Sequence, residues 1–302
     1  MTGLAHSNIP LGEESFWDVR GSQVKPFLRW AGGKGWLLPL LTEQAPKHFE
    51  SFHEPFLGSG AVLLSIPTGK KRYGSDLNAE LINAFVIVRD SPNELISRLR
   101  SFGFTQSDYL QARSKFNELK KDRSASNVEK AALFIYLNKA SFNGLYRENA
   151  NGEFNVPWGK RESAPINLEV LISRASESFQ GQGDSDQTQF TVGDYLQTLR
   201  KVGAGDWVYL DPPYSPVSET ANFVGYTSRG FDASQQEILR DEAEAAAARG
   251  ASILLSNADT PEVRNLYAGS EWNITEVAVT RSVGATSATR KKMPELLVKS
   301  YV

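Results

Sequence analysis

The chain contains no cysteine among its 302 residues. That excludes disulfides, thiolate zinc sites and a cysteine nucleophile. Cytosine C5 methylation, which needs such a nucleophile, goes with them. Histidine is nearly as scarce: His6, His48 and His53 do not form a metal-ligand cluster. No apolar stretch reaches the ~18 residues that predict a transmembrane helix. The first residues lack the charged and then apolar regions of a signal peptide. These absences predict an intracellular, metal-independent protein. Strong net charge is missing too, because 33 Lys and Arg face 35 Asp and Glu. The distribution is uneven. Residues 111–174 and 281–302 each carry a net charge of +4, while 175–195 carry −4. Local basic faces of this kind bind phosphate even when the whole is mildly acidic, although ordinary solvated surface reads the same way.

Hydrophobic residues make up 40% of the chain, enough for the core of one large domain or two smaller ones. Residues 1–22 are polar and unpatterned and predict a mobile tail. Ser51–Glu54 predicts a strand that runs into a glycine turn, Gly58-Ser59-Gly60, and then an apolar helix start at Ala61–Leu64. Lys71–Ser75 predicts a second strand ending at Asp76. From Ala79 to Arg100 apolar residues recur at helical spacing, broken by Pro92. Residues 108–160 are basic and rich in Asn and aromatics, with one apolar helical run at 131–137. Asn149-Ala150-Asn151-Gly152 predicts a turn that closes a hairpin. Strands return at 189–192, 207–210, 252–255, 274–280 and 295–299, with an alanine-faced helix over 234–249. Strands and helices alternating on both sides of an insert predict a doubly wound α/β sheet. The insert spans 90–165, between segments 23–89 and 166–302 of one discontinuous domain.

The apolar run Trp207–Leu210 leads directly into Asp211-Pro212-Pro213-Tyr214. Both prolines fix φ and lack an N–H, so the Pro212 carbonyl is aimed beside the Asp211 carboxylate. Two acceptors at one point suit a planar amino group with two N–H donors, such as adenine N6 or cytosine N4. Tyr214 adds a face for stacking. A surface turn after a strand has the same composition. Glu54 and Asp76 lie 22 positions apart across the glycine turn. An acid placed ~20 residues on is the spacing that sets a carboxylate on ribose hydroxyls in nucleotide-binding βαβ units. No Walker Gly-Lys-Ser/Thr is present, which points to an adenosyl group without phosphates. Phe27–Lys34 pairs an aromatic and a Gly-Gly turn with a lysine, suited to a loop closing over a cofactor.

These segments together resemble the Dam-type, D12-class DNA adenine-N6 methyltransferases that recognise GATC. The resemblance runs from about Pro26 to Tyr301. It is carried by FLRWAGGK at 27–34, HEPFLGSG at 53–60, YLNKASFNGLYRENANGEFNVPWG at 136–159, DPPYSPVSETANF at 211–223 and RSVGATSATRKKMPELLV at 281–298. It implies S-adenosylmethionine as methyl donor, no metal, and double-stranded DNA as substrate, with no membrane and no obligate protein partner. It also implies a Rossmann-like methyltransferase sheet with an inserted, mainly helical target-recognition domain containing a β-hairpin, in a cytoplasmic enzyme of bacterial or viral origin.

By position, the resemblance places Glu54, Asp76, Phe56, Trp30 and Lys34 at the cofactor, with Asp76 on the ribose. Asp211 and Pro212 hold the adenine amine, and Tyr214 stacks on the extruded base. Phe142, with Asn143 beside it, takes the place of an aromatic that inserts into the duplex. Leu145 and Pro157 match contacts to the third base pair, and Arg147 matches an arginine that reads guanine. Arg29 stands where the family has a first-guanine lysine, and Arg161 where it has a tyrosine. Lysine and arginine are not interchangeable at a geometric site, and Tyr146 replaces an expected small residue. A DNA-binding regulator that has lost catalysis keeps the same fold. So does an enzyme with a different acceptor: cytosine N4, RNA or a protein glutamine amide. The intact Asp-Pro-Pro-Tyr and both cofactor acids speak against the regulator, and the aspartate ahead of Pro-Pro-Tyr favours adenine over cytosine.

Overall fold

The computed structural model of the chain describes residues 24–122, 124–163, 165, 167–183, 186–214, 231–269, 271–277 and 294–301. The elements run α1 (Leu38–Glu43), β1 (Ser51–Glu54), β2 (Lys71–Asp76), α2 (Ala79–Asp90), α3 (Pro92–Arg100), α4 (Gln106–Lys121), α5 (Asn127–Ala140), α6 (Leu168–Gln180), β3 (Gln189–Val192), α7 (Tyr195–Leu199), β4 (Asp206–Leu210), α8 (Ala233–Ala248), β5 (Ser252–Ala258), α9 (Pro261–Leu266), β6 (Asn273–Val277) and β7 (Glu295–Lys299).

The seven strands form one sheet in the order β3-β2-β1-β4-β5-β7-β6. The first five of these are mutually parallel, and β7 runs antiparallel between β5 and β6. Strands buried on both faces read as near-continuous apolar runs, and β4 shows why. Trp207 and Tyr209 face one core with Phe49 and Phe52. Val208 and Leu210 alternate onto the other, with Ile253 and Leu255 of β5. The first core is roofed by α2, α5 and α6, and the second by α7 and α8. Strand order reverses between β1 and β4. In open α/β sheets such a switch point leaves a crevice at the carboxyl ends of the strands.

The anticipated strands lie where the pattern placed them, and Pro92 divides α2 from α3. Two differences stand out. The glycine turn after β1 opens no long helix, only a 3-10 turn at Leu63–Ser65. Ile66 is already extended (φ −70°, ψ 129°), as the residue before a proline prefers. Helix α4 was not anticipated, because its polar surface hides the period. Its signal was a capping box, in which Thr105 and Asp108 exchange side-chain and backbone bonds. The tail 1–22, the last three residues of the anticipated strand 274–280, and the motif stretches 215–223 and 281–293 lie outside the described residues.

Candidate active site and nucleic-acid interface

Three carboxylates converge at the switch point. Glu54 ends β1, Asp76 ends β2, and Asp211 follows β4. Glu54 is buried at 4% exposure, and its Oε2 accepts from the Leu63 amide at 2.8 Å. Burial pushes its pKa well above the usual carboxylate range; the Leu63 hydrogen bond opposes this, and the charges of Asp211 and Asp76 add to it. Asp76 is half-buried and accepts from the amides of Gly58 (3.2 Å) and Asn78 (2.9 Å). Its pKa is also raised, by burial, against those backbone bonds. The glycine turn makes this approach possible. Gly58 has φ +48°, and a Cβ there would lie 2.8 Å from Trp30 Cδ1.

Asp211 is held from two sides. Lys34 Nζ lies 2.7 Å from Oδ1 and 2.8 Å from Oδ2, while also donating to the Gly32 carbonyl at 2.9 Å. Ser256 Oγ donates to Oδ1 at 2.9 Å and is itself 2.9 Å from the Tyr209 hydroxyl. The β4–β5 register pairs Leu210 with Leu255 and so sets Ser256 beside Asp211. The Tyr214 ring lies 5.0 Å from Lys34 Nζ. The proline turn is pinned by Gln236, which donates to the Pro213 carbonyl (3.2 Å) and accepts from Asn257 (3.0 Å). Ser256, Gln236 and Asn257 were not foreseen. Their signal, a polar Ser-Asn pair inside an apolar strand, is visible only once the strand is known to end at the crevice.

The aromatic residues divide. Phe56 stacks on Tyr195 with centroids 5.1 Å apart and meets Phe231 edge-on. Trp30 packs over Gly58 on one side and stacks on Tyr146 (5.9 Å, 22°) on the other. Tyr146, the unexpected large residue, is thus a wall between the glycine turn and the basic segment. Leu77, directly after Asp76, is 56% exposed. It is a further apolar surface at the crevice that the pattern did not single out.

A second surface is built on the end of α5. A left-handed pair, Asn143 (φ 55°) and Gly144 (φ 67°), turns the chain sharply. Phe142 is then 53% exposed and Leu145 36%. Isolated large apolar residues on a surface are common, but here they share one turn. The Phe142 amide donates to the Pro157 carbonyl at 2.9 Å, which brings exposed Pro157 alongside. The Asn149–Gly152 turn is present, with bridges Glu148–Phe154 and Ser141–Trp158 in place of a continuous ladder. Arg147 is exposed and donates to Asn155 Oδ1 at 2.8 Å. It has no carboxylate partner among the described residues: Glu148 pairs with Lys120 and Glu153 with Lys121.

Arg29, Lys139 and Arg161 form a cationic cluster beside this turn. Burial and the Arg161 charge lower the Arg29 pKa. Lys139, 6% exposed, is pushed down to about 8 by burial and by Arg29 and Arg161. Like charges held together with no carboxylate paired to them among the described residues suit an anion from outside. Lys139 escaped the sequence reading because it sits in an apolar helical run.

At the opposite end of the sheet, Ser51, His53 and Asp206 resemble a hydrolytic triad. One histidine nitrogen faces both partners, Ser51 at 2.8 Å and Asp206 at 3.5 Å. A relay needs them on opposite nitrogens, so the group is a structural cluster. No group of three or more His, Cys, Asp or Glu among the described residues could hold a metal, and no helix among them is long and apolar enough to cross a membrane.

Residues 30–283 match the family described as D12 class N6 adenine-specific DNA methyltransferase. The chain is 36% identical to Type II methyltransferase M1.LlaDCHI of Lactococcus lactis subsp. cremoris over 280 residues, covering 92% of this chain and 96% of the relative. It is 36% identical to the DNA adenine methylase of Escherichia coli (strain K12) over 278 residues, covering 90% and 94%. It is 34% identical to Type II methyltransferase M.MjaIII of Methanocaldococcus jannaschii over 298 residues, covering 92% and 100%.

Proposed function

The chain belongs to the D12 class of N6 adenine-specific DNA methyltransferases, and from that membership we propose that it methylates the adenine of GATC in duplex DNA after swinging that base out of the helix. The reaction itself, methylation of adenine N6 in DNA, is that of the family. S-adenosylmethionine is the donor, and supplies a methyl group already activated by the sulfonium charge.

The crevice fits that donor. Among the described residues, Lys34 is the cation that pairs with Asp211 and acts on Glu54, while Asp76 adds a third carboxylate. An excess of carboxylates suits a ligand that brings a sulfonium, an ammonium and ribose hydroxyls. In this reading Asp76 takes the ribose, and Glu54, Phe56, Trp30 and Lys34 line the pocket. Segments 23–89 and 166–302 form the catalytic domain, and 90–165 reads the DNA.

Asp211 and the Pro212 carbonyl accept the two N6 hydrogens, and Tyr214 stacks on the base. The amine lone pair is delocalised into the ring, so N6 is a poor nucleophile. Two acceptors favour a more tetrahedral nitrogen and stabilise the charge that develops in attack. Ser256 and Lys34 fix the carboxylate beforehand, and alignment contributes the rest. Extruding the base costs a few kcal/mol. Phe142, exposed at the tip of its turn with Asn143 beside it, fills the gap. Arg147 reads a guanine through O6 and N7, a contact worth about 1–3 kcal/mol of discrimination. Leu145 and Pro157 lie against the third base pair, and Arg29 and Arg161 read the first. In this reading the enzyme works in the cytoplasm, on bacterial or viral DNA.

The observation that carries this reading is the Asp-Pro-Pro-Tyr turn at the switch point, its carboxylate braced by Lys34 and Ser256. The test is to incubate the protein with S-adenosylmethionine and unmethylated genomic DNA and map N6-methyladenine at base resolution. Methylation confined to GATC is expected. Methylation of NATC overturns first-base reading by Arg29 and Arg161, and another site overturns the GATC assignment.

A further inference from the structure

We infer that Asn138 is a positioning residue for sequence discrimination, whose side-chain amide locks the Arg29 loop to the base-reading turn. The inference rests on the reading of Arg29 as a first-guanine contact.

Asn138 lies in the last turn of α5 and is 2% exposed. Its Oδ1 accepts from the Arg29 amide at 2.9 Å, and its Nδ2 donates to the Arg29 carbonyl at 2.7 Å. This pair of bonds imitates the edge of a β-strand and fixes both backbone groups of one residue. The second Nδ2 hydrogen goes to the Gly144 carbonyl at 3.1 Å. Both amide donors are thereby used. One side chain ties together residues 109 positions apart and joins them to a turn six residues on.

Gly144 gives independent support. A Cβ there would lie 2.6 Å from Arg29 Cδ and 2.7 Å from Arg29 Cβ. The stem of Arg29 therefore crosses the bare backbone of the turn that carries Phe142 and Leu145. Electrostatics explains why a clamp is needed. Arg161 and Lys139 repel the Arg29 guanidinium, so the direction of its stem depends on a fixed backbone. A neutral amide holds the backbone without adding a carboxylate that would compete with DNA for the same cations. A buried asparagine that merely satisfies loop backbone would show the same bonds, so the test must separate the two roles.

Methylation rates are measured on four duplexes that differ only in the first base, and on duplexes altered at the guanine read by Arg147. The proteins are wild type, Asn138→Leu, Gly144→Ala and Arg29→Ala. Leucine keeps the shape of asparagine and removes all three bonds. Expected is a loss of first-base discrimination of about tenfold or more in Asn138→Leu, with discrimination at the Arg147 guanine within about twofold of wild type. Gly144→Ala, which crowds the Arg29 stem and strains the turn at φ +67°, should lower the overall rate and lose first-base discrimination as well, and keeps the test open if Asn138→Leu does not fold. Rates that fall equally on every duplex, or unchanged first-base discrimination, overturn the positioning role while Arg29→Ala still loses it. If Arg29→Ala keeps full first-base discrimination, the reading of Arg29 fails, and the inference fails with it.

Discussion

The Lys34 ammonium spans both oxygens of the Asp211 carboxylate, at 2.7 and 2.8 Å, across 177 residues of chain. It fixes the carboxylate proposed as the acceptor, in a crevice shared with Glu54 and Asp76. Removing Asp211 tests the acceptor directly. Asp211→Ala should abolish methyl transfer while leaving DNA affinity within about tenfold, since the DNA-reading surface is separate. Transfer that persists, read as incorporation of labelled methyl, removes Asp211 from the reaction.

Lys34→Met should be harmful in a different way. Lys34 is 4% exposed, and breaking a buried pair leaves an uncompensated charge that costs on the order of 3 kcal/mol. Lys34 also holds the Glu54 pKa down. Without it the Glu54 pKa rises further, and an acidic limb of the rate profile set by Glu54 moves upward. A thermal melt and a pH–rate profile check both parts; an unmoved limb rejects the electrostatic one.

Glu54 predicts a gain of stability. Its folded pKa is raised above the unfolded value. Such a group contributes stability below the unfolded pKa and loses it as pH rises through the folded pKa. Glu54→Gln removes that loss. The variant should melt higher than wild type at pH 8, by a few degrees for ~1 kcal/mol, and should lose the advantage in acid. Cofactor affinity, measured by calorimetry, should fall. Equal melting at pH 8 contradicts the assignment of a strained, ligand-ready acid.

Arg147 is exposed and has one neutral partner, Asn155. Arg147→Ala should relax discrimination at one guanine by about 1–3 kcal/mol and leave melting within ~0.5 kcal/mol of wild type. Competition between duplexes substituted at each position reads this out. Unchanged preference at every position excludes Arg147 as a reader.

The sheet was legible because strands buried on both faces advertise themselves: Trp207–Leu210 and Ser252–Leu255 lie within β4 and β5. The edge strand β3 was found as well, at Gln189–Val192, although it is mostly exposed and carries no buried run. The acids Glu54, Asp76 and Asp211 were found from local context, as each ends a strand. Their bracing was not. Ser256 reaches Asp211 only through strand register, and Lys34 only through a loop that folds back over the crevice. Asn138 and Lys139 were hidden for a related reason. Both sit in a helix buried on nearly every side, where no polar face marks them out.

That burial makes Lys139 a titrating cation beside Arg29 and Arg161. With a pKa of about 8, it is charged at neutral pH and loses its proton just above. That proton changes the charge of the cluster that Lys139 forms with Arg29 and Arg161. DNA phosphates favour the protonated form, and affinity should therefore fall as pH rises past about 8. Lys139→Met should bind DNA more weakly at neutral pH and show little further loss as pH rises. Its plot of log affinity against log salt should be shallower by ~1. A merely structural lysine would alter melting and leave the salt slope where it was. Fluorescence anisotropy across pH and salt distinguishes these, and a variant with wild-type slope and wild-type pH dependence excludes Lys139 from the DNA interface.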